Sequence, residues 1–271
     1  MVESFGSHAN WFVAGVSQAD GRLLHVGFFE PRDGALMYNW GYSRAQGSFP
    51  VLTLVRVLSW SPRHATLMAN PTTELQALRN GSLFHLQGVR LAPGEWHELL
   101  APTQRDAGAA MDMEVSLALP PSAVSFSVQV LAGSSPEGNA TIILLAVDAP
   151  DADGQRRGNL SITLPRLAVN CSGQPASQCP GMGPGWGWAV WGPPVAPFVL
   201  LSNESSLDLR VLVDRSVVEV FGAGGRAVVS VRDFPKESET TVRVSNSISD
   251  SETALVMQTA HAWSMDCGWV R

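Results

Sequence analysis

The sequence predicts an all-β protein, a two-sheet antiparallel β-sandwich preceded by a few further strands and a short linker helix. Short runs of alternating apolar residues recur along the 271 residues, which is the period of half-buried strands. Glycine, proline, asparagine and aspartate break these runs at strand-length intervals. A single helical pattern stands between two strand-rich regions. About ten strand-length segments without helices in the second region are typical of a sandwich.

The first region contains four apolar runs of strand length. They are separated by turn residues, and the longest break is rich in glycine and proline. We predict strands at 11–16, 22–30, 51–60 and 65–69, with the turn-rich stretch at 31–50.

Residues 70–81 predict a helix. Asn70 can cap it, Pro71 suits the first helical position, and Leu75 and Leu78 share one face. An Asn-Gly pair then ends the pattern. A lone helix between strand-rich regions indicates a linker, so the predicted units are 1–69 and 82–271.

The second region holds the remaining strand-length segments and one long loop rich in glycine, proline and tryptophan, at 170–197. Its clearest feature is a three-strand meander with turns at Asp214-Arg215 and at 222–225. Strands are predicted at 114–119, 125–131, 141–147, 159–164, 207–213, 216–221, 226–232, 241–245, 254–257 and 261–264. Along 216–221, Val218 and Val220 share a face with Ser216, whereas Glu219 shares the other with its valine and phenylalanine neighbours.

The composition excludes several classes of protein. With 18 basic against 24 acidic residues the net charge is −6, so a nucleic-acid binder is not expected. No apolar run approaches the roughly 18 residues of a membrane span. The amino terminus lacks the basic and apolar regions of a signal peptide and enters strand-like sequence at once, which predicts a fragment or a misplaced start.

Five acceptor triplets for N-glycosylation point to a secreted or vacuolar protein of the secretory pathway. Their asparagines are Asn80, Asn139, Asn159, Asn170 and Asn203. Cys171 and Cys179 bracket a short loop and predict a local disulfide, with Cys267 left unpaired. The alternative is three free thiols in a reducing compartment.

Signals of metal and cofactor chemistry are absent from the sequence. There is no nucleophile elbow, phosphate-binding loop or His-Glu-x-x-His motif, and the six histidines have no ligand spacing. We predict no metal and no cofactor.

Four segments, in order, resemble glycoside hydrolase family 32, which comprises invertases, fructan hydrolases and fructosyltransferases. Residues 212–221, Leu-Val-Asp-Arg-Ser-Val-Val-Glu-Val-Phe, and the strand that follows their glycine turn resemble the family's carboxy-terminal sandwich. Residues 21–27 resemble the strand that opens its last propeller stretch. Residues 52–58 resemble its Leu-Pro-Arg-x-Leu strand, with valine where proline is common. Residues 70–79 resemble the helix that joins propeller to sandwich.

The resemblance implies a five-bladed β-propeller that carries the active site and a sandwich packed against it. This chain would hold the last propeller strands (1–69), the linker helix (70–81) and the sandwich (82–271). Retaining hydrolysis of a fructoside needs a carboxylate nucleophile and a carboxylic acid, which the family carries in Asn-Asp-Pro and Glu-Cys motifs beside an Arg-Asp-Pro motif. None of the three occurs here. We therefore assign no catalytic residue and expect the chain alone to be inactive.

Some residues admit two roles. Trp40 lies where the family's sugar subsite is approached, but a loop aromatic packed on the propeller is the preferred interpretation. Trp186 and its neighbours Trp188 and Trp191 could form a platform on which a sugar ring stacks, but the preferred interpretation is that they anchor the long loop. For Glu219 we expect structural hydrogen bonding, and for Arg56 an ion pair at a strand end.

Three functions stay open at this stage. The first is the carboxy-terminal part of a β-fructofuranosidase-like hydrolase that acts on sucrose or fructans, its missing propeller portion supplied in cis. The second is a non-catalytic carbohydrate-binding or interaction module. The third is a subunit completed in trans by another polypeptide. The predicted partner is a fructose-containing sugar bound by the complete enzyme.

Overall fold

A computed structural model describes most of the chain. The described residues are 2–5, 9–16, 19–29, 51–101, 107–135, 139–164, 194–233, 235–247 and 254–266. Strands dominate them, and their only helices are short 3₁₀ helices at Thr73–Leu78, Ala107–Ala109 and Ala223–Gly225. No helix in these ranges has the length and apolar character that crossing a membrane requires.

The described residues form eighteen strands. In chain order they are β1 (Val2–Phe5), β2 (Ala9–Val16), β3 (Leu23–Phe29), β4 (Val51–Leu52), β5 (Arg56–Ser61), β6 (Thr66–Pro71), β7 (Arg79–Leu91), β8 (Trp96–Leu100), β9 (Ala110–Ala118), β10 (Val124–Ala132), β11 (Thr141–Val147), β12 (Arg156–Thr163), β13 (Val195–Leu200), β14 (Ser206–Asp214), β15 (Val217–Gly222), β16 (Ala227–Arg232), β17 (Thr241–Asn246) and β18 (Leu255–Met265).

Two sheets form the predicted sandwich. The seven-stranded sheet has the order β1-β16-β15-β14-β9-β18-β7, and the six-stranded sheet has the order β13-β12-β11-β10-β17-β8. Alternate residues from both sheets point inward and build one large buried core. Among the strands β7 to β18, every pairing within the two sandwich sheets is antiparallel, as expected. Strand β1 differs because it runs parallel to β16 at the sheet edge.

The strands β2 to β6 form a separate antiparallel sheet, which we call the amino-terminal sheet. Its order is β2-β3-β5-β6, with β4 also paired to β3. It packs on the outer face of the seven-stranded sheet, over β14, β15 and β16. A small second core lies between them, formed by Leu54, Leu58, Ala69, Leu212, Phe221 and Val228.

The linker helix is shorter than predicted. It is a 3₁₀ helix of six residues, Thr73–Leu78, and its capping residue Thr72 makes no side-chain cap hydrogen bond. Asn70 and Pro71 belong to β6, and the Asn-Gly pair at 80–81 lies inside β7. The predicted helix was too long because strand pairing on both sides satisfies the backbone groups that a longer helix would have bonded internally.

Several strands were missed or divided in the sequence analysis. β7 and β8 were not predicted, and β13 occupies the end of the expected loop. β18 is one strand of eleven residues where two were predicted. β7 escaped detection because Gly81 and Gly88 adopt positive φ, which interrupts the two-residue period that identifies a strand.

The face assignment along β15 is confirmed. Val218 and Val220 lie in the sandwich core, whereas Phe221 belongs to the second core under the amino-terminal sheet. Glu219 shares the face of Phe221 and is 1% exposed. β15 is therefore buried on both faces, and it aims a carboxylate at the junction between the sandwich and the amino-terminal sheet.

Candidate functional site

The junction between the amino-terminal sheet and the sandwich is built around a buried ion pair. The Arg56 guanidinium on β5 pairs with the Glu219 carboxylate on β15, and the two side chains are 0% and 1% exposed. Arg56 also donates to the Ser230 hydroxyl at 2.6 Å, and Ser230 donates to Glu219 at 3.2 Å. The backbone N–H of Leu54 donates to the other carboxylate oxygen at 2.5 Å. Both oxygens of Glu219 are thus bonded, as a buried charge requires.

Two neighbours complete the environment of this pair. The Arg56 guanidinium lies 5.3 Å from the centroid of the Phe221 ring, within the range of a cation–π contact. His25 pairs with Arg56 across β3 and β5. Burial lowers the pKa of His25, and the charge of Glu219 opposes this only in part. The imidazole is therefore neutral near pH 7, and Arg56 supplies the positive charge.

The turn after β15 contacts the end of β6 at very short range. The Asn70 amide donates to the carbonyl of Gly224 at 3.2 Å. A Cβ placed on Gly225 would meet the carbonyl of Ala69 at 2.5 Å and the Asn70 side chain at 2.7 Å, and Gly225 has a φ of +86°. Glycine is required here by both space and conformation.

A polar cluster closes one end of the junction, between the turn after β5 and the turn before β14. Glu204 accepts from Arg226 at 2.6 and 3.0 Å and from the backbone N–H of Leu201 at 2.7 Å. His64 approaches the same carboxylate at 3.5 Å. Burial favours a higher pKa for Glu204, but these bonds and charges outweigh it and lower the pKa. Glu204 therefore ties the two turns as an anion.

A cavity of about 320 Å³ lies beside the ion pair. It is walled by the amino-terminal sheet, the 3₁₀ helix and the β14–β15 turn, and leucine and methionine make up half of its lining residues. Glu219 reaches it from β15, and Asp214, Arg215 and Asp266 supply its other charged groups.

A second group of carboxylates lies on β9, outside the junction. Asp112 is fully buried and accepts from Arg79 at 2.7 Å and from Arg210 at 2.8 and 2.9 Å. Glu114 also bonds Arg79. Glu219 and Asp112 are thus both buried carboxylates held by arginine side chains.

The described residues hold no group of three or more His, Cys, Asp or Glu side chains arranged to bind a metal ion.

The structure describes some of the residues that the sequence analysis singled out and not others. Arg56 and Glu219 are brought together, which confirms the ion pair expected for Arg56 and the hydrogen bonding expected for Glu219. The asparagines of four acceptor triplets are exposed, namely Asn80, Asn139, Asn159 and Asn203. The remaining positions, Trp40, Asn170, Cys171, Cys179, Trp186, Trp188, Trp191 and Cys267, lie outside the described residues.

Sequence reasoning missed several junction residues. Asn70 was taken as a helix cap, whereas it bonds the sandwich turn. The adjacent glycines at 224 and 225 were taken as a turn alone, although two consecutive glycines after a buried strand are also a signal of close backbone approach. Ser230 and Glu204 carried no recognisable signal, because their partners are distant in sequence.

Comparison with known families gives a match over most of the sandwich. The model described as the carboxy-terminal domain of glycosyl hydrolases family 32 matches residues 74–264. This chain belongs to glycosyl hydrolase family 32. The match begins inside the 3₁₀ helix, so it contains Glu219, whereas Arg56 and the amino-terminal sheet precede it.

Individual relatives agree with this assignment. An insoluble isoenzyme of β-fructofuranosidase from Arabidopsis thaliana is 34% identical over 63 residues, which are 23% of this chain and 12% of that protein. Fructan 1-exohydrolase IIa from Cichorium intybus shares the fold, with a TM-score of 0.72 and 18% identity over 96% of this chain and 48% of that one. A point variant of that enzyme in complex with 1-kestose gives a TM-score of 0.70 at the same identity and coverage.

The family 32 chain described here therefore spans about half the length of the solved relative. Its junction joins the family-matched sandwich to strands upstream of it, and a buried charge pair crosses that boundary.

Proposed function

We propose that this chain is the carboxy-terminal part of a β-fructofuranosidase-like glycoside hydrolase acting on sucrose or fructans. In this proposal residues 1–69 are the end of a propeller, apart from β1, which pairs with β16 of the sandwich. Residues 70–81 link that end to the sandwich, and residues 82–271 are the sandwich. The catalytic carboxylates belong to propeller sequence upstream of this chain. Hydrolysis of an O-glycosyl bond is the reaction of the complete protein.

The observation that carries the proposal is the buried charge pair that crosses the junction. Arg56 precedes the family-matched segment and Glu219 lies within it. A buried ion pair is costly to leave half-formed, so the amino-terminal sheet and the sandwich are suited to one fixed arrangement. Such rigid docking supports a sandwich that holds a catalytic unit in place.

The substrate class follows from the relatives. A β-fructofuranosidase and a fructan exohydrolase with bound 1-kestose are similar to this chain. A fructose-containing sugar, sucrose or a fructan, is therefore the proposed partner of the complete enzyme. The exposed asparagines of four acceptor triplets support a secretory route, to the cell exterior or the vacuole.

Comparing the 271-residue chain with a longer protein extended upstream in the genomic reading frame tests the proposal. The chain alone is expected to release no reducing sugar from sucrose, inulin or levan, and the extended protein is expected to release fructose. Sugar release by the purified chain above a heat-killed control would contradict the absence of catalytic groups. A reading frame without upstream propeller sequence would contradict the cis arrangement.

The remaining outcomes separate the other two functions. Activity restored by co-expressing a separate propeller polypeptide would favour a subunit completed in trans. If no form is active, glycan-array binding by the chain would favour a carbohydrate-binding module. Trp186→Ala and Trp188→Ala then test the proposed sugar platform, and Trp40→Ala in the active protein tests its sugar subsite through an increase in KM.

A further inference from the structure

The outer face of the six-stranded sheet lies on the side of the sandwich opposite the junction. Along β12 the residues alternate, with Leu160 and Ile162 in the core and Asn159 exposed. Ser161, two residues further, shares the face of Asn159 because side chains alternate along a strand. The side chain of Asn159 makes no hydrogen bond with another described residue. The acceptor triplet Asn159-Leu-Ser161 thus presents both its acceptor asparagine and its serine outward.

Apolar side chains flank this position on both neighbouring strands. On β13, Val195 and Val199 are 41% and 44% exposed, and the exposed Pro197 stands between them. On β11, the outward residues Leu144 and Ala146 are half-buried. The solvent face of an antiparallel sheet is usually polar. The residues on β13 and those on β11 form two apolar strips, one on each side of β12, and we expect another group to cover them.

The register places Asn159 between these strips. Its Cα partners are Pro197 on β13 and Ala146 on β11. Adjacent strands lie about 5 Å apart, and the β13 strip extends over about 13 Å at 3.3 Å per residue. Two linked sugar rings attached to Asn159 are long enough to extend along the β13 strip and to span the distance to the neighbouring strands.

We propose that Asn159 carries an N-linked oligosaccharide whose first sugars lie over the apolar strips of β13 and β11. The amide nitrogen bonds to the anomeric carbon of a lipid-pyrophosphate-linked oligosaccharide. The bond from that carbon to the pyrophosphate oxygen breaks, the amide gives up one proton to a base, and the lipid pyrophosphate leaves. The C–H faces of the sugars then cover valine, proline and leucine side chains, and their hydroxyls face water.

The proposal rests on the secretory route proposed above. The amino-terminal sheet packs on the seven-stranded sheet, so upstream sequence that extends it joins the opposite side of the sandwich. A glycan on the six-stranded sheet therefore leaves the junction clear.

Occupancy is tested on the full chain secreted from a eukaryotic host behind the host's own signal peptide, which removes any dependence on natural targeting. Peptide mass spectrometry after enzymatic deglycosylation in heavy-oxygen water is expected to mark Asn159. Asn139 and Asn203 serve as internal references. Ser161→Ala should lose the mark at Asn159 alone, and Ser161→Thr should retain it. Unmodified Asn159 beside a modified reference overturns the inference but leaves the secretory route standing. An entirely unmodified chain also overturns the inference, and it too leaves the secretory route standing, because the host's signal peptide directs the secretion.

The covering role needs a separate readout. Ser161→Ala is expected to bind more of an apolar fluorescent dye than Ser161→Thr. Adding Val195→Ser and Val199→Ser to Ser161→Ala should remove the excess. Equal dye binding by the two Ser161 variants, with Asn159 glycosylated in the second, would show that the glycan does not cover the strips.

Discussion

At the scale of single residues, the junction depends on one buried charge pair, and Glu219→Gln tests it. Glutamine keeps the size of the side chain and an acceptor for the N–H of Leu54, but it leaves the Arg56 charge buried without its counter-ion. Breaking a buried pair in this way costs about 3–5 kcal/mol. Urea unfolding should show that loss. Hydrogen exchange should also show earlier opening of β5 and β6 amides than of the sandwich core.

Two comparisons make that result specific. Glu237→Gln removes a carboxylate from an exposed turn and should change the unfolding free energy by less than about 0.5 kcal/mol. The double variant Arg56→Met with Glu219→Leu should lose less than Glu219→Gln, because no unpaired charge remains. If Glu219→Gln were as stable as the parent chain, the result would contradict the role given to the ion pair.

Two adjacent glycines in the turn after β15 offer a matched test of close packing. Gly224 and Gly225 both have positive φ, of +67° and +86°, but only Gly225 faces β6, since a Cβ on Gly224 meets nothing within 4 Å. Gly224→Ala should cost about 1–2 kcal/mol from backbone strain alone. Gly225→Ala should cost measurably more, because its methyl group collides with the backbone of Ala69. Equal unfolding free energies for the two variants would contradict the packing argument.

At the scale of elements, the turns at the end of the junction should respond to acid. The folded-state pKa of Glu204 lies below its ordinary value of 4.5. Its contribution to stability is therefore complete above pH 4.5 and is lost as the pH falls through the lower folded value. The stability difference between the parent chain and Glu204→Gln should narrow steadily below pH 4.5. A difference that stays constant with pH would mean that the carboxylate does not bind Arg226 in its charged form.

Individual strands and helices differ in how well the sequence predicted them. β11 is a continuous apolar run of strand length, and its predicted bounds, 141–147, are those observed. The two faces of β15 were also assigned correctly, because side chains alternate along a strand. The 3₁₀ helix at 73–78 and the long strand β7 could not be bounded, because tertiary pairing overrode local capping signals.

The site was predictable only in part, for a related reason. Arg56 and Glu219 could each be given a structural role from their positions in strands. Their pairing, across 163 positions of sequence, and the contact of Asn70 with Gly224 are products of docking between sheets. No local pattern encodes such contacts, since neither partner constrains the other until both sheets have formed.

At the scale of the whole molecule, the amino-terminal sheet has one side docked and much apolar surface left open. Leu52 is 62% exposed and Trp60 59%, and Trp60 stands directly opposite Leu67, itself 40% exposed. These side chains fit the expectation that propeller strands deprived of neighbouring blades expose apolar groups. In a longer protein, upstream strands would bury them.

That expectation yields the last prediction, which concerns association of the isolated chain. Trp60→Ser with Leu67→Ser should lower binding of anilinonaphthalene sulfonate and reduce self-association in light scattering, because both changes remove apolar area that water covers poorly. Trp96→Ser is the matched control, since Trp96 is also exposed, at 36%, but lies on the six-stranded sheet. In the upstream-extended protein the same double change should instead lower stability, because the two side chains are then buried. A double variant that improves solubility in both forms would show that this surface stays open in the complete protein, and the propeller assignment of the amino-terminal sheet would then be wrong.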